Sequence, residues 1–331
     1  MVRKGDSPLF VQITNENGRE IMGIVIQCVF LVLGFVMLVK GADWFVDGAA
    51  GVADYFGIPQ LVIGLTIVAM GTSAPETAVS ITAAFKGSAD ITIGNVVGSN
   101  ILNTLIILGV TACIVAVAVA KSTVKYEIPY MILVTFLLML IGTTGNVINF
   151  WEGVILWIAF LIYLAYLLVM AKNNKVEVDE ETRKMAMWKL ILMAVVGLGL
   201  IIWGSDLTVD AATGIARKLE LSERFIGLTI VALGTSLPEL VTSVSAAVKG
   251  KADIAIGNIV GSNMFNILFV VGTTALITPV LFDPAFMVDA MVAAMSGVLL
   301  LACVRKDQKL GRIGGALMLL GYGCYFIYLI Q

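Results

Sequence analysis

Ten long apolar stretches divide the chain of 331 residues. A helix needs about 20 mostly apolar residues to cross the core of a bilayer. The apolar positions are continuous and do not alternate at period two, so we predict helices and no strands. The predicted spans are 22–50, 58–86, 90–119, 127–144, 148–171, 186–217, 222–249, 253–281, 285–304 and 311–330. The fold class is therefore an all-α polytopic membrane protein with ten transmembrane helices.

Two polar segments separate these spans into groups. Residues 1–21 are polar and lack the layout of a signal peptide, and residues 172–185 form a charged loop after the fifth span. We predict four parts: a polar N-terminal tail (1–21), a first five-helix repeat (22–171), the loop (172–185) and a second five-helix repeat (186–331).

The two halves contain copies of one sequence. Residues 57–103 and 220–266 align without a gap and are identical at 28 of 47 positions, with a constant offset of 163. Because each half has five spans, an odd number, the copies must cross the membrane in opposite directions. Inverted repeats of this kind place a substrate site near the middle of the bilayer, where the halves meet.

Lysine and arginine residues are distributed unequally between the two predicted faces. Thirteen lie on the face that includes the central loop, and seven lie on the opposite face. Cytoplasmic loops carry an excess of these residues. We therefore predict that the loop 172–185 is cytoplasmic and that both termini are outside.

The composition supports a membrane protein and excludes several classes of function. Hydrophobic residues make up 59% of the chain and charged residues 13%, which is about half the charge of a soluble protein. A net charge of −2 argues against nucleic acid as a partner. The chain has no histidine, which excludes histidine-dependent hydrolases and the commonest zinc sites. Its four cysteines lie in apolar runs without CxxC spacing, so we interpret them as small buried hydrophobes.

The first repeated motif places a carboxylate inside an apolar span in each half. The motif is GTSAPE at 71–76 and GTSLPE at 234–239, and it ends at Glu76 and Glu239. A carboxylate at this depth costs about 2.5–3.5 kcal/mol or more and needs a compensating partner. Glycine and proline in each motif should break the helix and free main-chain carbonyls. The carbonyls predicted to be free are those of Ala69, Thr72, Ala232 and Thr235.

The repeated motifs supply oxygen ligands only. Hydroxyl groups come from Thr72, Ser73, Thr235 and Ser236, and the second motif, GNVVGSNILN (94–103) and GNIVGSNMFN (257–266), adds Ser99, Asn103, Ser262 and Asn266. Oxygen ligands without histidine or cysteine favour Ca²⁺ or Na⁺. Two glutamates balance one Ca²⁺ or two Na⁺, which is the physical basis for exchange at a common site.

At these motifs the sequence resembles the Ca²⁺:cation antiporter superfamily, in its sodium/calcium exchanger branch. The resemblance covers the chain from Met22 onward. It implies a ten-helix fold in the plasma (inner) membrane of a bacterium or archaeon, with helices 2, 3, 7 and 8 around the ions and helices 1 and 6 sliding to alternate access. It implies a transporter rather than an enzyme, with no cofactor. The expected partners are Ca²⁺, Na⁺ and the lipid bilayer, and we expect a monomer.

The family pattern implies a role for each matched residue. A central Ca²⁺ site would use Glu76 and Glu239 with the carbonyls of Thr72 and Thr235. Flanking Na⁺ sites would use Ser73, Ser99, Ser236 and Ser262 with the carbonyls of Ala69 and Ala232, and Asn103 and Asn266 would border the middle. Several family members have aspartate where this chain has Asn266, so the stoichiometry and any use of K⁺, Li⁺ or H⁺ stay open.

The sequence leaves alternatives to Na⁺-driven Ca²⁺ export. Ca²⁺/H⁺ exchange would titrate the glutamates, and K⁺-dependent Na⁺/Ca²⁺ exchange would add a second monovalent ion. A cation channel would need a continuous polar pore, whereas the polar residues here concentrate at one depth. Four aspartates near span ends have two interpretations, attraction of cations at the entrances or simple solvation: Asp43, Asp47, Asp206 and Asp210.

Overall fold

The structure is a computed structural model that describes residues 8–86, 89, 91–174, 186–219 and 232–330. Helices account for most of these ranges. In chain order they are α1 (Pro8–Phe56), α2 (Gln60–Thr72), α3 (Ala74–Phe85), α4 (Ile91–Ile114), α5 (Thr123–Thr143), α6 (Phe150–Asn173), α7 (Met187–Lys218), α8 (Ala232–Thr235), α9 (Leu237–Val248), α10 (Ala252–Ile277), α11 (Phe286–Val304) and α12 (Arg312–Ile330).

The prediction of a polytopic helical membrane protein is confirmed. Within the described ranges, eight helices are individually long and apolar enough to cross a membrane, and α2 with α3 forms a ninth candidate that is bent by 49°. The predicted seventh span, 222–249, lies partly outside the described residues. Helix α1 begins at Pro8, and residues 8–21 of the predicted polar tail are therefore helical.

Four two-residue strands lie in the connections between helices, where the sequence predicted no strands. They are β1 (Val117–Ala118), β2 (Val147–Ile148), β3 (Val280–Leu281) and β4 (Lys309–Leu310). The prediction was wrong at these points because main-chain groups in a turn need partners too, and short antiparallel pairs provide them. β1 pairs with β4, and β2 pairs with β3. At the offset of 163, β1 corresponds to β3 and β2 to β4, so each strand pairs with one from the other half.

Helices α1 and α7 pack closely along their length through glycines. A Cβ atom added to Gly41 would lie 2.8 Å from the carbonyl oxygen of Gly197, and one added to Gly34 would lie 2.9 Å from that of Gly204. Small residues allow this approach between membrane helices. As residue numbers rise along α1, the numbers of the contacting residues in α7 fall, so the two helices are antiparallel. Because α1 and α7 are equivalent in the repeat, the halves cross in opposite directions, as inverted repeats require.

The helices that carry the repeated motifs form the centre of the molecule. Every side chain from Ile254 to Phe265 in α10 is buried. A Cβ atom added to Gly261 would lie 2.8 Å from the carbonyl oxygen of Leu65, so α10 of one half contacts α2 of the other directly. The outer surface carries exposed apolar side chains such as Leu133 and Leu161, as a surface in lipid requires. The motif residues are therefore brought to the interface between the halves.

Candidate ion-binding site

Both halves contain the same break in a helix at the first motif. Ser73 separates α2 from α3, and Ser236 separates α8 from α9, with ψ values near zero (13° and 3°) instead of the helical value. Pro75 and Pro238 lie in the first turn of the helix that follows, the position where proline is tolerated in a helix. The break predicted from the sequence is therefore present in each half.

The prediction that the Ala69 carbonyl is free was wrong. This oxygen accepts the Ser73 N–H at 3.0 Å, an ordinary helical hydrogen bond. It also accepts the Ser262 hydroxyl at 3.3 Å, from the opposite half. A proline at position i removes only the bond to the carbonyl at i−4, and Ala69 is not in that position relative to Pro75.

The same rule identifies the glycine carbonyls as those that lose a partner. Pro75 cannot donate to the oxygen of Gly71, and Pro238 cannot donate to that of Gly234. The Gly234 oxygen instead accepts the hydroxyl of Ser205, from α7, at 2.7 Å. The break in the second half is thereby tied to the helix that packs against α1.

The two motif carboxylates are buried and short of partners. Glu76 is 1% exposed and Glu239 is 0% exposed. Ser73 donates its hydroxyl to Oε1 of Glu239 at 2.9 Å, so the carboxylate of the second half reaches the break of the first half. Both oxygens of Glu76 and Oε2 of Glu239 have no hydrogen-bond partner among the described residues. Ser73 lies in the same motif as Glu76, so this contact brings the Glu239 carboxylate to the motif that carries Glu76.

No basic side chain in the described ranges pairs with these carboxylates. The ion pairs found there join Lys249 to Asp43 and Asp47, and Lys251 to Asp47, at distances of 2.8–3.2 Å. These aspartates of α1 are therefore ion-paired and not simply solvated. Among the residues that the structure describes, Glu76 and Glu239 are therefore buried acids without a basic partner.

Most of the other predicted ligands are also buried at this interface. They are Thr72, Ser73, Ser99, Asn103, Ser236, Ser262 and Asn266, while Thr235 is partly buried. The Ser236 hydroxyl has no hydrogen-bond partner among the described residues, in contrast to its counterpart Ser73. The side chain of Ala232 lies outside the description. The structure thus places the described hydroxyl candidates of both motifs in the interior, except Thr235, which is only partly buried.

Four asparagines link the second motifs of the two halves. Asn103 donates to the Asn263 side-chain oxygen at 3.1 Å, and Asn266 donates to that of Asn100 at 3.2 Å. Asn100 also donates to the main-chain oxygen of Asn263 at 3.1 Å. The Oδ1 atoms of Asn103 and Asn266 have no partner among the described residues. Asn103 and Asn266 lie in π-helical segments, which are frequent at functional sites.

Sequence reasoning did not assign Asn100 and Asn263, or the earlier pair Asn95 and Asn258. Each pair is matched at the offset of 163 inside an apolar span, which is the same signal that identified Glu76 and Glu239. Asn258 is fully buried and contacts residues of both first motifs. Matched polar residues in the spans were therefore a sufficient guide to these positions.

The chemistry of this cluster suits a hard cation. Within the described part of the chain, no three His, Cys, Asp or Glu side chains come together as a metal site. The candidate ligands are instead two carboxylates together with neutral amide, hydroxyl and carbonyl oxygens. Ca²⁺ accepts such mixed oxygen sets.

A comparison with family models identifies the family. Residues 26–169 and 189–331 match the model described as sodium/calcium exchanger protein. This chain belongs to the sodium/calcium exchanger family. The resemblance seen in the two motifs is confirmed, and the match covers both halves of this exchanger family member.

Known relatives of this family member are similar over nearly its whole length. A protein named CaxA from Alkalimonas amylolytica is 38% identical over 310 residues, which cover 90% of this chain and 97% of that protein. Sodium/calcium exchanger MaX1 from Methanosarcina acetivorans is 31% identical, over 92% of this chain and 99% of that protein. The solved structure of the sodium-calcium exchanger NCX_Mj soaked with 10 mM Na⁺ and zero Ca²⁺ superposes with a TM-score of 0.80 at 33% identity, and covers 92% and 99% of the two chains.

Proposed function

We propose that this chain exchanges Ca²⁺ for Na⁺ across the membrane by alternating access, with Glu76 and Glu239 at the centre of the transport site. The observation that carries the proposal is the pair of buried carboxylates, one from each half, with three of their four oxygens lacking a partner among the described residues. A charged group at this depth is stable only with a compensating partner. A bound cation provides that partner.

The proposed ligand sets are those that the resemblance to the exchanger family implies. Ca²⁺ binds between Glu76 and Glu239 with the main-chain oxygens of Thr72 and Thr235. Na⁺ ions bind on either side, at the sites formed by Ser73, Ser99, Ser236 and Ser262 with the carbonyls of Ala69 and Ala232. The contact of Ser73 with Glu239, and that of Ser262 with the Ala69 carbonyl, support sites shared between the halves.

The packing of α1 against α7 supports the proposed movement. Glycines let α1 and α7 approach each other closely. Polar contacts join this pair to the motif helices, from Ser205 to the Gly234 carbonyl and from Asp47 to Lys249. We propose that the pair slides across the site and opens it to each side in turn. The proposal includes a monomer in the plasma (inner) membrane of a bacterium or archaeon, with the central loop in the cytoplasm.

Flux of ⁴⁵Ca²⁺ into proteoliposomes under separately imposed Na⁺, K⁺ and pH gradients tests the exchange. We expect an outward Na⁺ gradient alone to drive Ca²⁺ uptake. Uptake driven only by a pH gradient would establish Ca²⁺/H⁺ exchange instead, and a requirement for K⁺ would establish the K⁺-dependent mode. Flux without any counter-ion gradient, with unitary currents, would identify a channel.

A further inference from the structure

Asn258 occupies a central position between the two first motifs. It lies in α10, is fully buried and is the counterpart of Asn95 in the first half. Neither asparagine belongs to the proposed ligand sets. Their side-chain contacts show what they do instead.

In each half the asparagine is bonded to the glutamate turn. Asn95 donates to the main-chain oxygen of Glu76 at 3.1 Å, and Asn258 donates to that of Glu239 at 3.4 Å. Each also donates to a hydroxyl one turn further along the same helix, Ser80 at 3.0 Å in one half and Ser243 at 2.9 Å in the other. The turn that carries the carboxylate is therefore attached to the helix of the second motif.

Asn258 also reaches the break of the opposite half. A carbonyl oxygen can only accept, so the Asn258 amide must turn its nitrogen toward Glu239 and its oxygen the other way. That oxygen accepts the hydroxyl of Thr72 at 3.0 Å. One side chain thus connects two turns that belong to different halves and that both contribute proposed ligands of the central site.

We propose that Asn258 is a positioning residue that sets the spacing between the Thr72 carbonyl and the Glu239 carboxylate, and so controls affinity for the divalent cation. The inference rests on the proposed function of this site. An amide is suited to the task because it donates at one end and accepts at the other. Aspartate at position 258 would place an acceptor oxygen next to the Glu239 carbonyl, which is also an acceptor. Leucine there would make neither hydrogen bond.

Equilibrium binding of ⁴⁵Ca²⁺ to the full chain in detergent tests this role. We expect Asn258→Leu and Thr72→Val each to weaken binding by about 10- to 100-fold, the usual effect of losing a group that orients a metal ligand. Both variants remove the same hydrogen bond, that between the Thr72 hydroxyl and the Asn258 side chain. The double variant should therefore bind Ca²⁺ no more weakly than the weaker-binding single variant. Thr72→Ser keeps the hydroxyl and should restore affinity.

Thr111→Val is the matched control. Thr111 is buried and donates its hydroxyl one turn back, to the Ile107 carbonyl at 2.7 Å. The single hydroxyl proton of Thr72 has two acceptors in reach, the Asn258 oxygen at 3.0 Å and the Val68 carbonyl at 3.1 Å, and the control variant loses only a bond of the second kind. This control should bind Ca²⁺ like the wild type. Wild-type affinity in Thr72→Val, or losses that multiply in the double variant, would overturn the role of Asn258 and leave the site itself in place. If Asn258→Leu does not fold, Thr72→Val and Thr72→Ser still decide the question. Absence of Ca²⁺ binding by the wild type would instead overturn the proposed function as well.

Discussion

At the scale of single residues, the two glutamates occupy equivalent sequence positions in different surroundings. Glu239 accepts a hydrogen bond from Ser73, whereas neither oxygen of Glu76 has a partner among the described residues. Ser236 is the counterpart of Ser73, and by the symmetry of the repeat its hydroxyl should donate to Glu76. This hydroxyl also has no partner among the described residues. The site is therefore asymmetric although the motifs that build it are nearly identical.

Neutralising either glutamate should abolish exchange. We expect Glu76→Gln and Glu239→Gln to remove Na⁺-driven ⁴⁵Ca²⁺ flux, because each leaves a divalent ion facing a single carboxylate at membrane depth. Asp307→Asn, a change of the same kind at an exposed position, should transport normally. Sustained flux in either glutamine variant would contradict the site assignment.

Adding a carboxylate at Asn266 should change the coupling between the ions. The Asn266 Oδ1 is buried without a partner among the described residues, so aspartate there adds a third buried acid to the two glutamates. We expect Asn266→Asp to alter the Na⁺ dependence or the charge moved per cycle. The Hill slope for Na⁺ and the reversal potential measure these quantities, and identical values in both proteins would rule the effect out.

At the scale of elements, the broken helices are attached to their neighbours in ways that the motifs do not reveal. Ser205 of α7 donates to the carbonyl that Pro238 deprives of its partner, but the equivalent position in α1 is Ala42. Asp43 and Asp47 of α1 pair with lysines after α9, whereas their counterparts Asp206 and Asp210 in α7 are exposed. The contacts of the two long helices with the motif helices thus differ between the halves.

Removing the Ser205 hydroxyl should destabilise the second break. Ser205→Ala leaves the Gly234 carbonyl without its donor, and an unsatisfied buried group of this kind costs about 1–3 kcal/mol. We expect a lower midpoint of thermal unfolding in detergent. Thr208→Val is the control on the same helix, because the buried Thr208 hydroxyl has no partner among the described residues and its loss should leave the midpoint unchanged or raise it. Equal midpoints for Ser205→Ala and the wild type would show that water replaces the donor.

At the scale of the whole molecule, the helical fold and the central position of the motifs could be predicted from the sequence. Apolar length reveals spans, and matched residues such as Glu76 and Glu239 reveal a shared site. Contacts between distant segments could not be predicted, because Thr72 and Asn258, or Asp47 and Lys249, meet only after the halves have packed. The prediction of a free carbonyl at Ala69 was wrong for a local reason. A proline at position 75 removes the helical hydrogen bond to the carbonyl of Gly71, four residues earlier, and not the bond to Ala69.

The predicted orientation can be tested with introduced cysteines. In a background without the four native cysteines, an impermeant thiol reagent added to intact cells should label Lys86→Cys and spare Asn174→Cys. Both positions are exposed and lie on opposite predicted faces. Permeabilised cells, in which both should react, provide the control for reactivity. Labelling of position 174 alone in intact cells would invert the orientation.

The strand pairs that join the two halves constrain which parts of the molecule can move. β1 precedes α5 and β2 follows it, so the pairs β1–β4 and β2–β3 fasten the halves together at both ends of that helix. Neither α1 nor α7 contributes a strand. Rotating one half against the other would break the strand hydrogen bonds at both ends of α5, whereas sliding of α1 and α7 would break none of these strand hydrogen bonds. We therefore expect α1 and α7 to move against a stationary remainder of the molecule, and a covalent cross-link between Val117 and Leu310 should leave turnover intact.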